Sequence, residues 1–583
     1  MSSVHPGLIF FIGALVLPLL RQKSLKQAVL LLVPAAAFTS LWCVPVGEHW
    51  VYNILGYDFI FGRVDKLSLC FGYVFVLVTF LGMVYALHVK DTGQHVAVLF
   101  HAGAALGVTF AGDLISLFLF WEIMALASAF LIWCRRSDAA LKAGFRYLMV
   151  HLFGGAALLA GILMYVGETG TTLFTRMEFG GLGSYLMLFG FLINAAVPPF
   201  HPWLPDAYPE ATVTGAVFLT AFTTKSAVYV LLRGFPGVEL LVYMGAIMSV
   251  YGVVYAIIEN DIRKLLAYHI VSQVGYMVCG VGLGTELAMN GSTAHAFCHI
   301  LYKALLFMGA GAVLEVTGKR KMTDLHGHAL YKHMPLCLML YLIGGFAISG
   351  APLLNGFISK PMIVAAAGEV HRPIIHLLLH LASIGTFLST TLKLPYGTWF
   401  GKRPEYPTEV KIKAGEPPLN MLVAMGMTAF VCLLTGVYPR LLYDILPYSV
   451  RFQPYTAYTV LSTLQLLMFT ALAFYLFLGR LSPRPFISLD TDWFYRKGAV
   501  LFLDACLGVT TVRSRVQESV SRLVNWTTGA AQNPIEAAER IMLRKTNKLT
   551  PYDASRHRHP IGLGVMYLLI LFSLLSIVFL AYR

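Results

Sequence analysis

Three titratable side chains recur at helical spacing within one apolar stretch of the chain. His295, His299 and Lys303 are spaced i, i+4 and i+8 inside the run from Ala294 to Val313. This spacing stacks them on one helix face, with a rise of about 6 Å between neighbours. A lone histidine is more often a satisfied core residue, but three aligned titratable groups favour a function. With water between them, the row predicts a proton wire.

Charged side chains also interrupt two other apolar runs. Glu122 lies within Leu114 to Trp133, and Lys225 lies in the middle of Val213 to Leu232. An ionisable group at the centre of a membrane helix costs about 3 kcal/mol, so each one needs a partner or a function. A lysine beside a movable carboxylate has a switchable proton affinity, which favours ion movement. The structural alternative at both positions is a buried salt bridge that serves packing alone.

Three more titratable residues each leave an alternative open. His269 opens the span from Leu265 to Leu283 and is either part of the wire or a hydrogen-bonded core residue. Lys360 follows a helix break and is placed to meet the end of a half-helix. Lys393 lies near the end of its span, where snorkelling to the membrane interface is the competing explanation.

Two apolar runs are interrupted by proline in matching ways. The interruptions centre on Pro198, Pro199 and His201 in the first run, and on Pro352 and Gly356 in the second. Proline breaks a helix, and unwound backbone is tolerated in lipid only where protein buries it or it lines a wet cavity. A pair of such breaks indicates repeated transporter halves. His201 either gates the first break or caps its freed carbonyls.

Composition requires a membrane around these elements. Apolar residues make up 57% of the 583 positions and charged residues 12%, and the mean hydropathy is +0.71. A soluble domain could not carry these values. Apolar runs of roughly 20 residues, the length that spans a bilayer, occur about 16 times. We therefore predict an all-α integral membrane protein with about 16 transmembrane helices.

The predicted organisation contains two five-helix repeats, each with a broken helix, followed by a long amphipathic helix. Val512, Val516, Val520 and Leu523 share one face of that lateral helix, which predicts a surface location. A break at Asn533-Pro534 and a second helical piece to about residue 547 are expected within it. The predicted segments are residues 1–96 (N-terminal spans), 97–233 (first repeat), 239–397 (second repeat), 414–480 (additional spans), 488–560 (lateral helix) and 561–583 (C-terminal transmembrane anchor).

The charge distribution predicts the orientation. The net charge is +14, from 43 Lys and Arg against 29 Asp and Glu. The positive-inside rule accounts for this excess without nucleic acid, because the basic residues concentrate in alternate loops. We expect these loops in the cytoplasm of a prokaryote and both termini on the non-cytoplasmic side of its cytoplasmic membrane. The first run, Gly7 to Leu20, lacks a basic n-region and a cleavage site, so we expect a retained helix.

No cofactor or metal site is expected from the sequence. The eight cysteines form no C-x-x-C pair, which argues against zinc, iron-sulfur and disulfide frameworks. Neither a phosphate-binding loop nor a dinucleotide fingerprint occurs in a suitable context. Energy must then come from an ion gradient or from a neighbouring protein of the same assembly. Whether the chain belongs to a redox-driven ion translocase stays open.

Several motifs resemble the antiporter-like subunits shared by Mrp-type cation/proton antiporters, respiratory complex I and membrane-bound hydrogenases. The match covers roughly residues 60 to 400 and looks most like the D subunit of the Mrp type. The motifs that carry it are Pro199-Phe200-His201-Pro202-Trp203-Leu204-Pro205-Asp206-Ala207-Tyr208-Pro209-Glu210-Ala211, Thr224-Lys225-Ser226-Ala227-Val228-Tyr229, Lys264-Leu265-Leu266-Ala267-Tyr268-His269, Gln273-Val274-Gly275-Tyr276-Met277 and His299-Ile300-Leu301-Tyr302-Lys303-Ala304-Leu305-Leu306-Phe307.

The resemblance implies roles for the residues singled out above. The family picture is of two proton half-channels joined by a charged central axis. The amphipathic stretch likewise resembles the lateral helix of the most distal antiporter-like subunit of complex I. By the resemblance, Glu122 matches the essential glutamate, Lys225 and Lys303 match central-axis lysines, His295 and His299 match the histidines that feed Lys303, and Lys360 matches the lysine of the second broken helix.

The chain departs from the family at one position. Many members have a lysine just before the first helix break, where this chain has Asn194, which carries no charge. The usual partner of Glu122 is therefore missing. Either another group pairs with Glu122, with Lys225 as the first candidate, or this half does not pump in the usual way.

Three classes of function remain at this stage. The leading hypothesis is a proton-translocating subunit, with sodium as an open second ion, which works with the other membrane subunits and lipids of an Mrp-like, complex I-like or hydrogenase-like assembly. The alternative is a non-pumping or modified antiporter-like scaffold coupled to a redox partner, of the quinone oxidoreductase or hydrogenase type, or to a carbon-fixing partner. A haem-binding electron carrier is the third, but axial histidines would have to face one another from neighbouring helices.

Overall fold

The architecture comes from a computed structural model that describes residues 4–54, 56–401, 414–484, 489–532, 534–542 and 559–581. The chain divides into two compact units, Met1–Phe494 and Tyr495–Arg583. The first unit contains both predicted repeats. The second contains most of the amphipathic helix and the last apolar helix.

The N-terminal part of the first unit consists of three helices, with a β-hairpin between the second and the third. The two strands of the hairpin pair in antiparallel fashion, with Gly47 opposite Val64 at one end and Ile54 opposite Tyr57 at the turn. The sequence had not predicted this hairpin. Asp65 then caps the following helix by accepting from the Ser68 amide. The elements are α1 (Pro6–Val16), α2 (Lys23–Cys43), β1 (Gly47–Ile54), β2 (Tyr57–Val64) and α3 (Lys66–Ala86).

Two sets of helices follow in the same order. The first set is α4 (Thr92–Phe110), α5 (Leu114–Trp133), α6 (Asp138–Thr169), α7 (Leu182–Asn194), α8 (Trp203–Ala207), α9 (Val213–Ala221) and α10 (Thr223–Gly234). The second set is α11 (Glu239–Ile258), α12 (Ile262–Leu283), α13 (Glu286–Thr317), α14 (Met322–Leu325), α15 (Pro335–Ser349), α16 (Asn355–Glu369) and α17 (Pro373–Thr386), which continues in π-helical turns to Phe400.

Local features match between the two sets. Both α6 and α13 have 32 residues. Asp113 caps the start of α5 and pairs with Leu173, while Asp261 caps α12 and pairs with Lys321 in the same way. A single shift along the sequence relates these pairs, which supports the predicted duplication. The exact segment boundaries remain predictions.

Both proline-rich interruptions are breaks between helices. Pro198, Pro199 and His201 lie between α7 and α8, and Pro352 lies between α15 and α16. Gly356 lies one residue inside α16 rather than in the gap. A side chain there would collide with the carbonyl of Ala347, so glycine lets α16 begin close to the end of α15.

A third interruption lies in a span that the sequence presents as continuous. Phe222 separates α9 from α10, with φ −100° and ψ −68°. Neither proline nor glycine occurs beside it, so no local signal marks the position. Its consequence for Lys225 is described below.

The prediction of a helical integral membrane protein is confirmed. Twelve helices among the described residues are long and apolar enough to cross a membrane, and three shorter apolar helices accompany them. The expected total of 16 is not established by this count. The remaining elements are α18 (Leu419–Val437), α19 (Arg440–Tyr443), α20 (Ala457–Leu476), α21 (Leu478–Leu481), α22 (Asp492–Gln532), α23 (Pro534–Met542) and α24 (Ile561–Ala581).

The amphipathic stretch forms a helix of 41 residues, α22. Val512, Val516, Val520 and Leu523 are all more than half exposed on it. The predicted break is consistent with the end of α22 at Gln532 and the start of α23, although position 533 lies outside the described residues. The predicted continuation from 543 to 547 lies outside them as well.

Candidate functional site

Lys225 binds a carbonyl group that the break at Phe222 sets free. Its side chain is fully buried, and Nζ donates to the carbonyl oxygen of Thr220 at 2.7 Å and to Oγ1 of Thr224 at 3.0 Å. Thr220 lies in the last turn of α9, where the helix dipole is negative. The end of a helix, rather than a carboxylate, therefore stabilises the ammonium group.

Lys360 and Lys393 are held in the same way. Nζ of Lys360 donates at 2.7 Å to the carbonyl of Ile348, in the last turn of α15 before the second break. Nζ of Lys393 donates at 2.9 Å to the carbonyl of Glu259, and also to that of Ile257 at the end of α11. Lys393 is only 5% exposed, so its amine points to helix-end carbonyls instead of snorkelling to an interface.

Lys303 is the exception among these lysines. It is fully buried, and its Nζ has no hydrogen-bond partner among the described residues. The ammonium lies 5.8 Å from the ring centre of Phe307. Both ring nitrogens of His299, one turn earlier on α13, also lack a partner in this part of the chain. Buried polar atoms without partners are costly, so this pair marks the centre of the site.

His295 connects α13 to two neighbouring helices. One ring nitrogen lies 3.1 Å from Oγ of Ser359 on α16, and the other lies 3.1 Å from Oε1 of Gln273 on α12. Nε2 of Gln273 donates to Thr386 on α17 at 3.3 Å. A polar layer thus crosses the apolar interior of the second repeat.

His269 extends the same layer. Its Nε2 lies 2.7 Å from Oγ of Ser389, on the π-helical turns that continue α17. The side chain is fully buried and lies within electrostatic range of Lys303 and Lys360. The structure therefore places His269 with the row and also gives it the hydrogen bond expected of a core residue.

Residues from both repeats meet around His299. Its ring lies 6.3 Å from that of His295 and within electrostatic range of Lys225, Lys303 and Lys360. Lys225 comes from the first repeat, whereas the others come from the second. We call the set formed by Lys225, His295, His299, Lys303 and Lys360 the central row.

Glu122 is not part of the central row. It is partly buried on α5, and its Oε1 has no hydrogen-bond partner among the described residues. No basic side chain of these residues lies within 4.0 Å of it, so the suggested pairing with Lys225 is not formed in this structure. Its carboxylate instead packs against Gly155 of α6, where a side chain would collide with Oε1.

The first repeat has no counterpart of Lys303. The shift that relates the repeats takes His151 to His299 and Gly155 to Lys303. A glycine facing Glu122 thus stands where the second repeat has its unpartnered lysine. Asn194 is fully buried at the end of α7, and neither polar atom of its side chain has a partner among the described residues.

An aspartate that sequence reasoning missed occupies the first break. Asp490 accepts from Nε2 of His201 at 3.0 Å and from the hydroxyls of Tyr251 and Tyr268, each at 2.6 Å. Burial by itself raises the pKa of Asp490, but the hydrogen bond and charge of His201 and the tyrosine hydroxyls hold it below its usual range. The chain separation of 289 residues left no local signal for this contact.

His201 does not cap a freed carbonyl in this arrangement. The hydroxyl of Thr491, next to Asp490, donates to the carbonyl of Pro199 at 3.0 Å instead. Two consecutive residues that precede α22 therefore each contact one group of the first break, Asp490 the His201 ring and Thr491 the Pro199 carbonyl. No group of three potential metal ligands occurs within the described part of the chain.

Comparisons with known proteins agree with this architecture. Residues 111–389 match the family model described as "NADH:quinone oxidoreductase/Mrp antiporter, TM". An uncharacterized protein of Methanocaldococcus jannaschii is 31% identical over 360 residues, which are 58% of this chain and 73% of that protein. The chain belongs to this family. It is an antiporter-like membrane protein of the type found in Mrp and complex I assemblies.

Other relatives in the family match over parts of their length. The D subunit of a Na(+)/H(+) antiporter from Alkalihalophilus pseudofirmus is 28% identical, over 55% of this chain and 69% of that protein. The A/B subunit of a probable K(+)/H(+) antiporter from Rhizobium meliloti is 31% identical over 67% of this chain, but the match spans only 41% of that protein.

Solved structures of multisubunit membrane complexes share the fold. A chain of the Mrp complex from Dietzia sp. has a TM-score of 0.67 at 24% identity, covering 76% of this chain and 95% of that one. A chain of the archaeal membrane-bound sulfane sulfur reductase has a TM-score of 0.69 at 21% identity, covering 98% of this chain and 99% of that one. At these identities the likeness describes the fold alone.

Proposed function

We propose that this chain is the proton-translocating subunit of a multisubunit membrane complex and that protons move along the central row. The observation that carries the proposal is the position of Lys303. Among the described residues its Nζ has no hydrogen-bond partner, whereas Lys225 and Lys360 are each held on a helix end. An amine without such a bond can take up or release a proton without breaking a contact to the protein.

Electrostatics supplies the coupling between neighbouring sites. Two unit charges about 6 Å apart repel by about 3 kcal/mol at an effective dielectric constant of about 20. A proton that reaches one member of the row therefore lowers the proton affinity of the next. Waters bridging His299 and Lys303 would complete the route, because both groups are buried and have no hydrogen-bond partner among the described residues.

The helix breaks make this coupling adjustable. Thr220 and Ile348 offer carbonyls only because α9 and α15 end in the middle of the bundle. A small movement of either half-helix changes how well the carbonyl stabilises an ammonium group. We assign the driving movement to partner subunits of an Mrp-like, complex I-like or hydrogenase-like assembly, which the apolar face of α22 would contact.

The proposed location is the cytoplasmic membrane of a prokaryote, with the basic loops inside and both termini outside. Contacts between two of these loops support a common side. Arg135 and Arg320, which follow α5 and α13, both pair with Glu210, at 3.3 and 2.6 Å. The positive-inside rule then assigns that end of the bundle to the cytoplasm.

A second candidate function rests on the first repeat. Glu122 forms no ion pair with a basic side chain of the described residues, Gly155 stands at the position of Lys303, and Asn194 carries no charge. These features suit a non-pumping or modified subunit that transmits movement to a redox or carbon-fixing partner without moving protons through either half. In this candidate the charge of Lys303 is dispensable for ion flux.

Proton flux separates the two candidates. The complex would be purified in mild detergent, reconstituted in liposomes with a pH-sensitive dye and driven by an imposed Na+ or H+ gradient. We expect Lys303→Met to retain less than about a tenth of the wild-type rate, because methionine cannot carry the proton. Lys66→Met, an exposed charge at the start of α3, is the control and should transport normally. Wild-type flux in Lys303→Met would refute the proposed route.

A further inference from the structure

A cavity with several polar side chains on its wall opens beside Lys360. It has a volume of about 210 Å³ and lies between α16, α17 and α20. A water molecule takes about 30 Å³ in the liquid, so the space accommodates several waters. The polar side chains on its wall include Lys360, His376, His380, Ser383, Ser462 and Thr463.

Burial changes along this cavity. Lys360 is 4% exposed and Ser383 is 8% exposed, so both belong to the interior. His376 and His380 are half-buried and lie on the turns of α17 nearer to its N-terminal end. The cavity therefore leads from the second helix break to the surface of the bundle.

The polar groups follow one another along one helix face. His376, His380 and Ser383 are spaced i, i+4 and i+7 on α17, and the two imidazole rings lie 4.6 Å apart. Oγ of Ser383 lies 2.9 Å from the hydroxyl of Tyr276. Nζ of Lys360 lies 5.3 Å from the ring centre of the same tyrosine.

We propose that this cavity is the opening through which Lys360 exchanges protons with water at the non-cytoplasmic face, with His376 and His380 as the relay at its mouth. The Lys360 ammonium releases a proton to the cavity water and becomes an amine. His380 and then His376 each accept a proton on one ring nitrogen and release one from the other, and the proton passes to bulk water.

The orientation of the opening follows from the charge distribution. The mouth lies at the starts of α17 and α20, opposite the loops of Arg135 and Arg320, which we assign to the cytoplasm. The use of the opening by protons rests on the proposed function. The accessibility of the opening to water does not rest on the proposed function, so water access and proton use can be tested separately.

Thiol labelling tests the accessibility. Ser462 lines the cavity, whereas the neighbouring Leu461 at the same depth of α20 is 60% exposed on the outer surface of the bundle. Cysteine would be placed at each position in a Cys43→Ser/Cys506→Ser background, because these two native cysteines are exposed. A charged, membrane-impermeant thiosulfonate reacts with the thiolate, which forms in water and not in lipid. We therefore expect Ser462→Cys, in the cavity, to react about ten-fold faster than Leu461→Cys, on the outer surface.

Zinc tests the role of the two histidines. Two imidazoles one helical turn apart can each give one nitrogen to Zn2+. Zn2+ bound there places two positive charges at the mouth of the cavity. Zn2+ added on the non-cytoplasmic side should therefore slow the labelling of Ser462→Cys and inhibit proton flux, each by about five-fold or more. Both effects should disappear in His376→Gln/His380→Gln. His371→Asn, an exposed residue before α17 whose positive φ suits asparagine, should keep them.

The outcomes separate the opening from the proposed function. Equal labelling of the two cysteines would overturn the opening, and zinc effects that persist without the two histidines would overturn their role as the relay. Proton flux with an unreactive Ser462→Cys would overturn the opening alone. A reactive, zinc-sensitive Ser462→Cys in a complex that moves no protons would support the opening and refute the proposed function.

Discussion

The carboxylate of Asp490 lies 3.0 Å from Nε2 of His201, so a residue just before α22 occupies the first helix break. Both side chains are buried. The adjacent Thr491 donates to the carbonyl of Pro199 in the same break. One backbone carbonyl and one side chain of the first break are therefore bound by a segment outside the repeat, which ties the break to the chain leading into α22.

Removal of the charge at position 490 should destabilise the first unit. Three donors, from His201, Tyr251 and Tyr268, converge on the two carboxylate oxygens. Asp490→Asn replaces one carboxylate oxygen with an NH2 group, which is itself a donor. At least one of the three donors then faces another donor and loses its acceptor. We expect a loss of about 1–3 kcal/mol. Thermal unfolding in detergent would measure it, with Asp504→Asn, an exposed change on α22, as the control.

The pH dependence of this effect has a definite sign. Because the pKa of Asp490 lies below its usual range in the folded protein, the carboxylate stabilises the fold at every pH above about 4, the value expected in the unfolded chain. The contribution is lost only as the pH falls through the lower folded value. The difference between wild type and Asp490→Asn should therefore persist at pH 8, where the carboxylate is fully charged. A difference that disappears at pH 8 would contradict the assignment.

Replacement of Lys360 should lower the stability of the protein, whereas replacement of Lys303 should not, although both lysines serve transport. Lys360→Met leaves the buried carbonyl of Ile348 without its donor, which costs about 1–3 kcal/mol. Lys303→Met removes a buried ammonium that makes no hydrogen bond, so we expect no loss of stability. Melting temperatures of the two variants, compared at equal protein and detergent concentrations, would test this. A lower melting temperature for Lys303→Met than for Lys360→Met would contradict it.

Gly155 should matter for transport more than for folding. An alanine in a helix normally adds about 1 kcal/mol of stability relative to glycine, but at position 155 its Cβ would displace the carboxylate of Glu122. We expect Gly155→Ala to lower proton flux if Glu122 takes part in it. Gly167→Ala, on the same helix with open space around it, is the matched control. Normal flux in Gly155→Ala would exclude Glu122 from the proton route.

The sequence predicts those features that single residues impose on their own helix. Lys225 and Glu122 are visible because a charge in an apolar run is costly wherever the helix packs. Pro198 and Pro352 mark breaks because proline lacks an amide donor. The row on α13 is visible because its spacing needs only helical geometry. Each of these signals is contained within one stretch of fewer than about 25 residues, the length of one span.

The remaining features depend on packing between distant segments. The break at Phe222 has no proline or glycine beside it, so only the backbone of the folded chain reveals it. Asp490 reaches His201 across 289 residues. Glu122 and Lys225 looked like partners in sequence because their charges are opposite, but the fold leaves Glu122 against Gly155. His376 and His380 show a helical spacing in the sequence, and only the cavity distinguishes them from a packing pair.

The apolar face of α22 should hold partner subunits of the complex. Val516 and Val520 are 57% and 53% exposed on a helix of 41 residues, which at about 1.5 Å per residue is roughly 60 Å long. An apolar face of this length favours contact with another apolar surface. Val516→Asp/Val520→Asp places two charges on that face, so we expect co-purifying membrane subunits to fall by about ten-fold, a change of about 1.4 kcal/mol.

Affinity purification in mild detergent, with the subunits quantified by mass spectrometry, would measure this loss. Ser514→Asp adds a charge to the opposite face of α22 and is the matched control. The first unit should keep its melting temperature in all three proteins, because α22 lies almost entirely in the second unit. Unchanged co-purification in the double variant would assign partner contacts to another surface, whereas equal loss in Ser514→Asp would indicate a general effect of added charge.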